Sequence, residues 1–394
     1  MSEERARANV PLESFFDLVY VLAFTEVTRF LYLHLTWTGL LQGLALLAAL
    51  WWAWVNYSWL TDNLPAHEFV PARVLILAAT AAMLVAALAV QGAFTDSAIL
   101  FAGAYFVVRM LHVALYVLAG RELPGPRQAI RRLAPGFIGA SLLLVIAGIV
   151  DGQLRFALWA AALAIDYGVP IVRGISGLEV HARHFTERHG LVIILALGES
   201  IVAFGGAERR LDEGVLLAAV VAVLLNASLW WAYFDDAAID VARRLAEAPA
   251  PARALLARDA YSYIHFLMVA GIIFLALGLR ATLADMRRPL GAIQAFALCG
   301  GVAVYLAGLA AFHLRATRTV WKSRLVAIVL ACAIMPAATR VPAIVTLASL
   351  AAVMICLLAF EVWGPRARSL GAATVEWLTR ASRKRPVARQ PSHS

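Results

Sequence analysis

The sequence predicts an all-α polytopic membrane bundle of about twelve spans, arranged as two tandem, parallel six-helix repeats. Three observations predict it. Of the 394 residues, 62% are hydrophobic and only 15% charged, against roughly 25% charged in soluble domains. The apolar residues fall into blocks of about 16 to 24, the length a helix needs to cross a core about 30 Å thick at 1.5 Å per residue. The chain also resembles itself at one large offset.

The blocks run 14–35, 38–60, 70–91, 97–119, 133–150, 154–172, 190–205, 214–235, 260–279, 290–312, 324–340 and 343–360. The first follows Glu3, Glu4, Arg5 and Arg7 and itself carries Asp17 and Glu26, so it reads as a retained span and not as a cleavable signal. The second ends in Trp51, Trp52, Trp54 and Trp59, and the eighth in Trp230 and Trp231. Placement near helix ends predicts an interfacial belt for all six. The seventh block is short, and Pro336 and Pro342 interrupt the last two, which sets the range at ten to twelve spans. Cys299, Cys332 and Cys356 lie inside apolar blocks and read as packing residues. A basic tail, 366–394, reads as unstructured and held near anionic headgroups.

A net charge of +9 raises the question of nucleic acid, and its distribution answers it. With the N-terminus inside, 24 of the 34 Arg and Lys residues fall on cytoplasmic segments, among them Arg121, Arg131, Arg243, Arg258, Arg315 and Lys322. That asymmetry follows the positive-inside rule and places both termini in the cytoplasm.

Positions 18–26 read Leu-Val-x-x-Leu-Ala-x-x-Glu, and 191–199 repeat the pattern without a gap, so that Glu26 corresponds to Glu199. The next helix of each half ends alike, Trp51-Trp52-Ala53-Trp54 against Trp230-Trp231-Ala232-Tyr233. A longer loop around Arg209 absorbs the change of offset. The expected division is 1–172, 173–365 and the tail 366–394. An even number of spans per unit predicts parallel repeats with a site between their first helices.

Charges inside a bilayer cost about 2.5 to 3.5 kcal/mol each on insertion scales, so each needs a reason. Asp17 lies near the cytoplasmic face, and Glu26 about 13 Å deeper. Arg29, three residues on, can neutralise Glu26. Glu199 follows Gly198 without such a local partner. Tyr105, Arg109, His112 and Tyr116 share one face of the fourth block, as Tyr261, His265 and Met268 do in the ninth. Asn56, Asp166 and Asn226 are isolated polar groups. Such stripes suit ion binding, proton relay or hydrogen bonds between helices. His181, His184, Glu187 and His189 precede the seventh block and include zinc-ligand types, but without an H-E-x-x-H core or a cysteine. Glu187 and Arg188 also suit a helix start at the membrane surface. No phosphate-binding loop, nucleophile elbow or redox motif is present, so neither an enzyme nor a cofactor is expected.

The stretches 13–24 (ESFFDLVYVLAF), 51–59 (WWAWVNYSW), 184–200 (HFTERHGLVIILALGES) and 229–235 (LWWAYFD) resemble the bacterial low temperature requirement protein A family. The resemblance implies a bacterial cytoplasmic-membrane protein, and no biochemical activity is assigned to that family. The helix start Leu12-Glu13-x-Phe15-Phe16-Asp17 is similar to that of the six-helix potassium channels of lysosomes and bacteria, where Asp17 would anchor a pore helix. This chain has Phe16 where those channels have serine, and His189-Gly190 where the second copy of the motif would stand.

These readings lead to a conduit for a small cation or protons. Glu26 and Glu199 would bind the ion, while Asp17 and Glu187 organise the cytoplasmic ends. The rivals are a non-transporting membrane factor supporting the envelope in the cold, and a metal-dependent enzyme or sensor. The bilayer is the expected partner, nucleic acid is not, and the oligomeric state is open, a homodimer included.

Overall fold

The apolar blocks fold as helices, and the computed structural model describes residues 3–64, 70–119, 124–205 and 213–383. Helix accounts for 89% of it, with no strand among the described residues. The helices are α1 (Glu3–Leu33), α2 (Trp37–Asn63), α3 (Val70–Leu88), α4 (Ala98–Ala119), α5 (Pro124–Ile149), α6 (Gly152–Val172), α7 (Ala182–Gly205), α8 (Glu213–Glu247), α9 (Ala250–Ala284), α10 (Ala292–Thr317), α11 (Lys322–Ala338) and α12 (Ala343–Arg383). Among the described residues, nine of these are long and apolar enough to cross a membrane; α1, α7 and α11 are the others. Arg121, Gly206, Arg209 and the tail residues 384–394 lie outside the described residues.

Two boundaries differ from expectation. Helices α8 and α9 run on through the charged stretch 236–259 as far as Glu247 and from Ala250. There the helix is amphipathic, burying Val241 and Leu245 while Asp240 and Arg243 pair outside at 3.7 Å. The tail is also helical through Arg383, where an unstructured segment was expected.

Burial sorts the helices. Of the apolar window of α9, 83% is buried, with 72% of that of α10 and 67% of that of α2, against 28% for α6, so α2, α9 and α10 form the centre and α6 the wall. Leu216, Leu217, Val220, Val223 and Leu224 on α8 are exposed, an apolar surface of the kind a membrane-embedded helix carries. Trp51, Trp52, Trp54 and Trp59 are buried on central α2, which corrects the interfacial belt; Trp230 and Trp231, on α8, are exposed. Inside, the indoles act as donors: Trp51 Nε1 to the Ser262 carbonyl at 2.8 Å and Trp59 Nε1 to Ser262 Oγ at 2.9 Å.

Glycine sets the closest approach in the core. A Cβ on Gly271 of α9 would stand 2.6 Å from Tyr305 N and 2.7 Å from Gly301 O on α10, so the backbones touch directly. Gly271→Val is expected to destabilise the detergent-solubilised protein by about 1–3 kcal/mol, read from its melting curve. Gly103→Ala, where an added Cβ meets nothing within 4 Å, is expected to leave the curve unchanged or raise it.

Candidate functional site

Five ionisable side chains meet, buried, where the start of α7 packs on the first half of α1 and the end of α2. Glu13 and Asp17, one turn apart on α1, are 5% and 2% exposed. Asp62, in the last turn of α2, is fully buried. His184 and Arg188 face them from α7, again one turn apart.

His184 Nε2 lies 2.8 Å from Glu13 Oε2, and its Nδ1 2.9 Å from Asp62 Oδ1. A neutral imidazole carries one N–H, so contact with two carboxylates holds the ring as an imidazolium. Arg188 donates to Asp17 Oδ1 at 3.1 Å and to Thr61 Oγ1, and lies 3.6 Å from Glu13 Oε1. Trp54 Nε1 completes the shell, donating to Asp17 Oδ1 at 2.8 Å. Phe16, beside Asp17, is buried and stacks on Tyr57 with ring centres 4.7 Å apart. Three carboxylates thus face one guanidinium and one imidazolium.

His181, in the loop before α7, adds a pH-sensitive contact. Its backbone N–H donates to Asp62 Oδ2 at 2.8 Å and its Nδ1 to the Asp62 carbonyl at 3.0 Å. Hydrogen bonding to Asp62 raises its pKa above the usual histidine value, against an opposing effect of burial. The elevated folded-state pKa fixes the sign: the stabilisation is complete below about pH 6.5 and is lost as pH rises through the elevated value. The melting temperature is therefore expected to fall on going from neutral to alkaline pH by an increment that His181→Asn removes.

Toward the other end of the α1–α7 seam sits the second acidic group. Thr25 Oγ1 donates to Glu199 at 2.5 Å, so Glu199 has a partner on the neighbouring helix, invisible to a search along its own. Glu26, the next residue, accepts from Gln91 Nε2 at 2.7 Å and lies 3.7 Å from Arg29, whose side chain is 54% exposed. The two glutamates are therefore brought to one level of adjacent helices.

The α4 stripe is buried as a unit: Tyr105, Arg109, His112 and Tyr116 are each at most 3% exposed. Arg109 pairs with Asp166 of α6 at 2.6 Å, Tyr105 donates to the same carboxylate at 3.0 Å, and the guanidinium lies 4.4 Å from the Phe137 ring centre. His112 lines a cavity of about 40 Å³ with Trp52, Asn56 and Tyr116, room for two or three waters. In the α9 stripe, His265 Nδ1 donates to the Ala260 carbonyl at 3.0 Å, five residues back, where the chain makes a π-helical turn (Ala257–Ile264). Its Nε2 accepts from Tyr233 at 2.9 Å. Asn56 and Asn226 bond to their own helices, to the Trp52 and Ala222 carbonyls.

His181, His184, Glu187 and His189 do not converge. Glu187 points outward to Arg183 at 2.8 Å, both about two-thirds exposed. His189 is buried among Trp54, Phe185, Tyr261 and His265, donating from Nδ1 to the Phe185 carbonyl at 2.8 Å. No cluster of three or more metal-ligating side chains is found among the described residues. Asp62, Thr61, Thr25 and Gln91 were not anticipated, and Arg188 was read as a surface group. The available signal was charge balance: Glu13 and Asp17 in the first half of α1, Asp62 at the end of α2, and His184 and Arg188 at the start of α7 carry opposite charges on segments that a bundle can bring to one level.

The family model for the bacterial low temperature requirement A protein (LtrA) matches residues 9–359. An uncharacterized protein of Rhizobium meliloti (strain 1021) is 29% identical over 374 residues, covering 91% of this chain and 89% of that one. No solved structure matches the chain significantly. The match takes in both halves of the bundle and every residue of the buried cluster, and the chain belongs to the bacterial low temperature requirement A family of membrane proteins.

Proposed function

We propose that the chain is a conduit for protons or a small cation, with its path along the seam between α1 and α7. The observation that carries this reading is the placement of buried acids at both ends of that one helix pair. Glu13, Asp17, Asp62, His184 and Arg188 lie at one end, and Glu26 with Glu199 toward the other. Glu13 and Glu26 are about 20 Å apart along α1, some two-thirds of a bilayer core. Membrane interiors retain unneeded charge poorly, which makes acids at two depths on one seam hard to account for by packing alone. Between them Tyr20, Ala23, Phe24, Val192 and Ala196 are buried, the packing of a closed state.

The finer architecture belongs to the same proposal. Twelve spans in two parallel six-helix repeats put both termini on the cytoplasmic side of a bacterial inner membrane, with the five-residue cluster facing the cytoplasm. Helix pairing supports the duplication: α1 packs on α3 as α7 on α9, α2 on α6 as α8 on α12, and α3 on α4 as α9 on α10. The seam would then join equivalent first helices.

Purified protein in sealed proteoliposomes tests the reading. Under proton, sodium and potassium gradients, flux above that of empty vesicles is expected for at least one of them. Glu199→Gln and Glu26→Gln are expected to lower it at least tenfold while leaving the melting curve within a few degrees. A tight vesicle under every gradient would leave the second reading, a sealed non-transporting factor, which the protein partners of both glutamates favour. Neither reading assigns the chain a catalytic step.

A further inference from the structure

A second constellation lies away from the seam, where α8 and α12, just past their apolar stretches, meet the start of α11. A cavity of about 160 Å³ opens there, walled by Trp231, Asp235, Asp236, Arg324, Leu358 and Glu361. Asp235 and Asp236 are exposed and sit in a π-helical turn (Tyr233–Ala237) that interrupts α8. Local π-helical turns often mark functional positions. Arg324 is only 1% exposed. Its Nε and Nη2 lie 3.2 and 3.3 Å from the Glu361 carboxylate, which also accepts from Ser323 Oγ at 2.7 Å, and its guanidinium carbon stands 3.6 Å from the Trp321 ring centre. Its Nη1 is buried without a hydrogen-bond partner. A buried guanidinium N–H left unsatisfied is costly, and it leaves Arg324 with a free donor for one further acceptor.

The wall therefore presents two opposite demands at once: an unsatisfied cationic donor, and two carboxylates with room beside them. A simple anion meets Arg324 but is repelled by three carboxylates, and a metal cation meets the acids but is repelled by the guanidinium. A zwitterion carrying a phosphate and a primary ammonium a few atoms apart satisfies both. We propose that this cavity binds the aminoethyl phosphate group of phosphatidylethanolamine, phosphate on Arg324 and ammonium on Asp235 and Asp236. The cavity opens beside exposed Trp231, Phe360 and Trp363, where acyl chains would continue along α8 and α12. Under the orientation proposed above, this is the cytoplasmic interface, where tryptophan is favoured. The site is independent of the α1–α7 seam and of transport.

Native mass spectrometry of the full-length, delipidated protein tests it, with equimolar phosphatidylethanolamine and phosphatidylglycerol of the same chain length added. At least tenfold more phosphatidylethanolamine than phosphatidylglycerol is expected to remain bound. In Asp235→Asn/Asp236→Asn, and in Asp236→Asn alone, that ratio is expected to fall toward one at an unchanged melting temperature. Competition by millimolar soluble O-phosphoethanolamine separates the two sources of this chemistry. Displacement assigns the site to the free headgroup molecule, and no displacement assigns it to the lipid. Equal retention of the two lipids by wild type, or an unchanged ratio in both variants, overturns the proposal.

Discussion

Arg188→Met is expected to destabilise the protein by about 3–5 kcal/mol, the scale seen when one partner of a buried ionic network is removed. The guanidinium faces Asp17, Glu13 and Thr61 in one fork, all buried. Without it, Glu13 and Asp17 confront each other one turn apart on α1, with one imidazolium and one indole N–H left between them. A melting temperature lower by on the order of 10 °C in detergent, with loss of monodispersity, is the expected reading. Arg188→Lys is expected to recover only part of the loss, because a single ammonium cannot reproduce the planar fork. If Arg188→Met melts with wild type, the cluster is not holding α1, α2 and α7 together.

Arg109→Leu is the second large effect, again about 3–5 kcal/mol, because it removes the cationic partner of buried Asp166 and leaves it neutral donors such as the Tyr105 hydroxyl. Here the pair is simple enough for a double-mutant cycle. Arg109→Leu/Asp166→Leu is expected to regain most of the stability, since an apolar pair in place of a buried ion pair is often neutral or better. Arg188 has no such rescue, because three carboxylates share it and the histidine. The contrast separates helix-linking charge, at α4–α6, from a network whose charges exceed what linking requires.

Much of this was legible in the residues, and the reasons for the misses are physical. Hydropathy located each apolar block on a helix, because a bilayer demands length and apolarity together. It did not find the extension of α8 to Glu247, because past the membrane the helix is held by an amphipathic face and ion pairs instead. Nor could it tell lipid from protein: Trp51 and Trp231 share a helix-end motif, yet one is central and the other exposed. Of the site, Glu13 and Asp17 stood out in the motif at 12–17, and His184 stood out as a candidate metal ligand. Asp62 did not, because it lies just past its apolar block and meets His184 across 122 positions of chain. Glu199 was singled out for having no partner on its own helix, and its partner Thr25 sits on the neighbouring one.

Flux through a single cysteine variant on the seam tests the central proposal most directly. In a parent with Cys299, Cys332 and Cys356 replaced, Ala196→Cys places a thiol at a buried position of α7 between the two acidic groups. A seam that opens to water predicts that a small, charged thiol reagent abolishes ion flux in this variant and leaves the cysteine-free parent unaffected. Unchanged flux after exposure to the reagent, or a thiol that never reacts in protein that conducts, would place the path elsewhere in the bundle. Vesicles that stay tight before any reagent is added would end the case for a conduit.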